Sequence, residues 1–416
     1  MYDQSYISHN LIKIGSPVFE KAKRLDPALE KENEIKKAKS ILEENVRSPA
    51  IDITKIKGKK IFHIMEPVVD VVYRKTGHNI INTFPNKQKK RDYIIGNSLK
   101  HLRESTPFEV YRRDIKDFYA SIEPDWIIEN LISCTHISNK TTAIVENFFK
   151  YFSIFETGLP RGLYLSAILS EFSMKDLDNH LINHPKVFFY ARYVDDILLI
   201  ADPIIKKEKF WKNSELFLPA GVSFHDKEEK CNSISLSRTG PVAGKNVNDA
   251  EGKFNFLGYD ISCLVSPSYK KRELKVDMSE KKINRYKTKV TLALMDFIKN
   301  NNYPLLQERI KLLTSNYYIY NSYSKRHMEH GIYCSSKFLN VDFCDPDNSL
   351  NKLDKYLKNL LLSNRSPIGI SLRGSLTNRQ RKNLLRFSFK RGYENKIFYN
   401  FSPKEYNRIR ECWKNV

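Results

Sequence analysis

Two adjacent carboxylates, Asp195 and Asp196, interrupt a largely apolar run, Val187-Phe-Phe-Tyr-Ala-Arg-Tyr-Val-Asp-Asp-Ile-Leu-Leu-Ile-Ala201. Like charges between apolar segments cost free energy unless a cation or a basic partner compensates them. Phe, Tyr, Val and Ile on both flanks favour strands, and Asp tolerates turn geometry. The run therefore predicts a β-hairpin with the acids at its turn. Taken alone, the tetrapeptide Tyr193-Val194-Asp195-Asp196 reads more readily as a solvated turn.

A third acid lies upstream, where Asp114 ends the short strand-like segment Val110-Tyr-Arg-Arg-Asp114 and an aromatic segment runs on to Ile122. Two Mg²⁺ ions about 4 Å apart need carboxylates from separate strands, and Asp114 with Asp195 suits that sharing, with Asp196 in support. That is phosphoryl-transfer geometry, although Asp114 by itself is also an ordinary strand-end acid. Between the acidic sites, Gly158-Leu-Pro-Arg161-Gly162 opens an amphipathic helix whose apolar stripe is Leu165, Ile168, Leu169 and Phe172. Gly162 lets backbone approach a flat partner such as a nucleotide, and Arg161 offers a cation to phosphate or base. A plain loop before a core helix explains the same residues.

In this order the segments resemble the palm motifs of a reverse transcriptase of the bacterial kind, across roughly residues 60 to 260. Asp114 to Ile122 is similar to the first palm motif, Gly158 to Ser166 to the Leu-Pro-x-Gly turn, and Tyr193 to Asp196 to the Tyr-x-Asp-Asp hairpin. Gly221 to Lys230 resembles the glycine-led strand that leads to a lysine, and Phe254-Asn-Phe-Leu257-Gly258-Tyr259 the turn that grips the primer. The resemblance implies an α+β right-hand polymerase fold, with fingers, an antiparallel-sheet palm and an α-helical thumb. It also implies that Asp114, Asp195 and Asp196 ligate two Mg²⁺ ions, or Mn²⁺ in their place, and that Lys230 assists pyrophosphate departure. Tyr119 becomes the gate that rejects a 2′-hydroxyl, which favours DNA as product. Tyr193, Leu257 and Gly258 face primer and template, and Arg161 and Gly162 border the nucleotide.

The basic cluster Lys87, Lys89, Lys90 and Arg91 suits a triphosphate clamp, with Arg91 the chosen residue. Arg161 departs from the glutamine of many relatives and points to specialised templating. The opening Asp3-Gln4-Ser5 followed by Asn10-Leu11 resembles the smaller subunit of a defence-associated reverse transcriptase of type 3. That resemblance implies phage defence, a structured non-coding RNA template and a second reverse transcriptase as partner, beside the dNTPs and DNA product common to the family. A retron enzyme, a template-independent or RNA-making polymerase, and a non-catalytic palm that only holds RNA are the rival readings.

Composition agrees, since a net charge of +22 and a pI near 9.5 suit a polyanion binder. From Pro267 to Val416 there are 31 Lys and Arg against 13 Asp and Glu, so most of the surplus lies in the C-terminal third. Helical patterns there at 279–300, 304–315 and 350–362 flank an aromatic stretch that includes Tyr317, Tyr318, Tyr320 and Tyr323. Cations that track phosphates and rings that stack on bases predict a thumb that grips nucleic acid. The expected divisions are an N-terminal helical extension over 1–60, with an apolar stripe through residues 22–42 and a turn at Lys55–Lys60; fingers and palm over 61–265; and a basic helical region over 266–416. Six cysteines without CxxC pairing fit a reducing cytoplasm. No 18-residue apolar run or signal-peptide pattern is present, so a cytoplasmic protein is expected.

Overall fold

The computed structural model describes residues 2–25, 32–34, 36–38, 49–56, 58–84, 88–240, 250–265, 270–321 and 326–414. The expectations at Ala28, Leu29, Ile35, Leu42, Lys87 and Tyr323 lie outside them. Contacts divide the chain into two compact units, Met1–Ile94 with Pro107–Ser237, and Ile95–Thr106 with Arg238–Val416. By contacts the break falls near 237, where the sequence reading expected a division at 265; among the described residues the strands after 250 pair with one another and with no strand of the palm sheet.

In the first unit, α1 (Ser8–Leu25) precedes a hairpin of β1 (Ile51–Ile56) and β2 (Lys59–Ile64), followed by α2 (Pro67–Thr83) and the first turn of α3 (Arg91–Leu102). The lysines of residues 55–60, expected as a turn, mostly lie in this hairpin, with Lys55 opposite Lys60. Then come β3 (Phe108–Asp114), α4 (Phe118–Ser121), α5 (Pro124–Ile132), α6 (Asn139–Phe152), α7 (Tyr164–Ser173) and α8 (Lys175–Ile182). The hairpin of β4 (Val187–Tyr193) and β5 (Asp196–Ala201), α9 (Lys207–Glu215) and β6 (Asn232–Leu236) complete it.

Its sheet runs β4-β5-β3-β6, and all its pairings are antiparallel. Ile197 to Ala201 are at most 1% exposed, as a central strand of continuous apolar residues requires. Helix α7 buries the stripe Leu165, Ile168, Leu169 and Phe172. The N-terminal stretch docks on α2 and α6. Fully buried Lys75 donates to the Asp3 carbonyl at 2.7 Å and to Asn79 Oδ1 at 2.8 Å. Asn79 in turn donates to the Gln4 carbonyl, Gln4 Oε1 accepts from Ser138 N, and the Tyr6 hydroxyl meets Thr76 and Thr141. Burial lowers the Lys75 ammonium below its ordinary value.

The second unit contains the sheet β7-β8-β9, formed by β7 (Ala250–Phe256), β8 (Tyr259–Leu264) and β9 (Glu273–Met278). Next come α10 (Glu280–Asn300) and α11 (Tyr303–Thr314), then β10 (Asn316–Asn321), β11 (Arg326–Gly331) and α12 (Ser349–Leu362). Short helices α13 (Pro367–Ser375), α14 (Asn378–Leu384) and α15 (Phe389–Glu394) lead to β12 (Phe398–Asn400) and α16 (Pro403–Arg410). Helices form at the places where the periodicity put them, but the region is not purely helical. The aromatic stretch after residue 315 is strand β10, central in a mixed sheet ordered β11-β10-β12. Tyr and Ile suit a pleated surface. Buried Asn316 fixes the start of β10 by donating to the Gly392 carbonyl and accepting from Tyr333 N.

Candidate active site

Register brings the acids together. Asp114, the last residue of β3, stands opposite Asp196, the first of β5, and Tyr193 pairs with the same Asp196 across the hairpin. Only Val194 and Asp195 form the turn, and Ile115 N donates to the Asp195 carbonyl at 3.1 Å. Val194 has φ +59°, a conformation that a β-branched residue adopts only under constraint. Two groups supply that constraint. The Arg192 guanidinium donates to the Val194 carbonyl at 3.0 Å, and the Gln88 amide, oriented to satisfy both neighbours, accepts from Val194 N at 2.9 Å and donates to Glu171.

Each outer acid has a basic partner. Lys230 Nζ reaches both oxygens of Asp114, at 2.9 and 3.0 Å, from a turn in which its own N–H bonds the Lys227 carbonyl. Arg112 donates to Asp196 Oδ1 at 3.1 Å and to the Glu229 carbonyl at 3.3 Å. Asp195 carries the electrostatic load. Burial, then the charges of Asp196 and Asp114, raise its carboxyl above the usual range, against the opposing pull of Lys230. Behind the hairpin, Arg192 bridges Asp178 at 2.7 Å and Glu171 at 2.9 Å, while the Tyr190 hydroxyl donates to Asp178 at 2.5 Å. Burial raises Glu171, and Arg192 opposes it.

Tyr119 follows on α4. Its carbonyl accepts from Leu159 N at 2.7 Å, and its ring lies 5.8 Å from the Arg161 guanidinium. Burial raises its phenol. Arg161 pairs with Glu156 at 3.7 Å, and its carbonyl accepts from Phe62 N at 2.8 Å. Gly162 has φ +98°, and a Cβ there would stand 2.7 Å from the Phe62 carbonyl. The flat partner that requires glycine in this structure is therefore the β2 backbone. Arg91 opens α3, 3.8 Å from Asp92. Leu257 and Gly258 form the two-residue β7–β8 turn in the second unit, with φ of +44° and +81°, the signs of a type I′ turn.

Sequence reasoning missed Arg112, Arg192 and Gln88. Arg112 had a readable signal: it lies two residues before Asp114 and so shares its face, whereas Arg113 turns the other way to stack on Trp211. Arg192 and Gln88 had none, since a single arginine in a strand and a glutamine in a loop name no partner.

Hard oxygen donors of this kind fit divalent cations, and the Lys230 ammonium already marks a cationic position at Asp114. Among the described residues no three Asp, Glu, His or Cys side chains are gathered into a cage as they stand.

No curated protein matches the chain. Among solved structures, it is similar to apo telomerase from Candida tropicalis truncated from the C-terminal domain, at 15% identity and a TM-score of 0.34. That match covers 55% of this chain and 55% of the other, so the chain spans about half the length of the structure it matches. Residues 35–261 match the family described as reverse transcriptase (RNA-dependent DNA polymerase). That match takes in all three acids, Tyr119, the Gly162 turn and Lys230, and the chain belongs to the reverse transcriptase family.

Proposed function

We propose that this protein is an RNA-directed DNA polymerase that adds deoxynucleotides to a primer by two-metal phosphoryl transfer. The observation that carries this reading is the register of Asp114 against Asp196, with Asp195 at the turn between them and Lys230 on Asp114. Asp114 and Asp195 are the ion ligands and Asp196, held by Arg112, supports them. When bound, Mg²⁺ or Mn²⁺ neutralises charge on the transferring phosphate and makes the attacking primer hydroxyl more acidic. Lys230, displaced from Asp114, holds its proton at Nζ and places a positive charge beside the departing pyrophosphate. The Tyr119 ring excludes a 2′-hydroxyl. Arg91 serves the triphosphate, Arg161 and Gly162 border nucleotide and template, and Tyr193, Leu257 and Gly258 serve primer and template.

We further propose that the template is a dedicated structured non-coding RNA, that the activity serves antiviral defence in the cytoplasm, and that a second reverse transcriptase is its partner. Arg161 in place of glutamine supports the first, and the Asp3-Gln4-Ser5 and Asn10-Leu11 resemblance supports the others. Among the described residues no helix is long and apolar enough to cross a membrane.

The test is extension of a primed RNA by the purified protein with Mg²⁺ and four dNTPs, beside sequencing of the RNA it carries from its native locus. DNA synthesis is expected, and Asp195→Ala should lower it on the order of a thousandfold or more. Undiminished synthesis by that variant overturns the assignment.

A further inference from the structure

The second unit carries a cleft of about 340 Å³ that the palm chemistry does not use, where α11, α14, α15 and β12 come together. Its lining is chemically one-sided. Arg386 and Arg391 stand exposed at the rim, and no carboxylate lines it among the described residues. Arg391 donates to the Arg386 carbonyl at 2.7 Å, which ties its guanidinium to the backbone at the cleft rim and leaves its other N–H groups available. The Arg386 guanidinium and the amides of Gln307 and Asn383 have no side-chain partner among the described residues. Phe387 and Tyr399 add half-buried rings. Lys311 lies 4.3 Å from the Tyr399 ring centroid, a further positive charge partly neutralised by Glu308 at 3.4 Å.

Each candidate ligand would use a different share of this lining. A bare anion uses the arginines and wastes the rings and amides, while an apolar molecule leaves two guanidinium groups unanswered. A nucleotide uses all three: guanidinium on phosphate, a ring against the base, and amides that donate and accept along the base edge. The volume is at the low end of small-ligand sites, which suits one such unit and not a duplex.

We propose that this cleft binds one unpaired nucleotide unit, a nucleoside phosphate held by Arg386 and Arg391 at its phosphate and by Phe387 or Tyr399 at its base. The unit is presented by single-stranded RNA or arrives as a free mononucleotide.

The experiment uses the full-length protein carrying Asp195→Ala, so that synthesis plays no part. It compares two photoprobes, a single-stranded RNA dodecamer containing 4-thiouridine and 8-azido-ATP, with mass-spectrometric mapping of the labelled peptide and titration of affinity. At least one probe is expected to label the 383–399 segment, and Arg386→Ala with Arg391→Ala to weaken that probe about tenfold or more. Lys355→Ala with Lys358→Ala, which removes equal charge from exposed positions on α12, is expected to weaken it no more than about twofold. Labelling by RNA assigns the strand, and labelling by the azido probe alone assigns the mononucleotide. Absence of labelling by either, or an equal loss in the α12 control, overturns the proposal. Primer extension by the Arg386/Arg391 variant in an otherwise unchanged chain tests the polymerase reading separately.

Discussion

Tyr119 is braced from two directions, by Leu159 N on its carbonyl at 2.7 Å and by the Arg161 guanidinium 5.8 Å from its ring. As the proposed sugar gate, this ring would act by occupying space. Tyr119→Ala should therefore admit ribonucleotides, lowering the preference for dNTP over NTP in kcat/KM by about 10-fold to 100-fold with the fold intact. Unchanged discrimination in single-nucleotide insertion kinetics would show that another group selects the sugar. At this scale the sequence exposed the paired acids, whose charge is unusual within an apolar run, whereas Tyr119 was singled out only by resemblance to a family motif. It did not expose residues defined by what they touch. Arg112 shares a dipeptide with Arg113, and only the pleat sends one to Asp196 and the other to Trp211.

The β4–β5 hairpin depends on a charge cluster behind it. Arg192, 4% exposed at its side chain, holds Asp178, Glu171 and the Val194 carbonyl at once. Removing it leaves buried Asp178 and half-buried Glu171 without their cation, so Arg192→Ala should destabilise the protein by about 3–5 kcal/mol in urea unfolding. It should also abolish synthesis, because the acid-bearing turn loses its anchor. A loss under 1 kcal/mol would mean water reaches the cluster. A second element makes a pH prediction. Burial, with Arg285 and Arg410 nearby, pushes the Lys289 ammonium on α10 down to about 8 from 10.5. Between those values the unfolded chain binds more protons, so this group makes stability rise as pH goes from about 8 to about 10.5. Lys289→Gln should flatten that rise in denaturation curves measured across the window; a slope unchanged by the substitution contradicts it. Elements were legible where one period ran unbroken, as in α7, α10 and α12. The β10–β12 pairing was not, since four helices separate β12 from the β10–β11 hairpin in sequence and Asn316, Tyr317 and Tyr318 meet Phe398, Tyr399 and Asn400 only across that gap.

The whole chain carries +22, with most of the surplus after residue 266, and a polyanion should bind chiefly by counterion release. Affinity for single-stranded RNA is expected to fall by roughly a thousandfold between 50 and 200 mM KCl, measured by fluorescence anisotropy. A fall under tenfold would place recognition in a few neutral contacts. The division into units was only half legible, because residues 95–106 join the second unit from within the first and nothing in their composition announces it. The docked N-terminal stretch carries a consequence for biosynthesis. Residues 2–6 leave the ribosome before their binding sites do: Lys75 and Asn79 follow about seventy residues later and Ser138 and Thr141 about sixty after those. At 5–20 residues per second residues 2–6 wait roughly 7–30 s for the full set. Throughout that interval the nascent chain presents Tyr2 to Tyr6 undocked, open to any chaperone or partner that reaches them before α6 does.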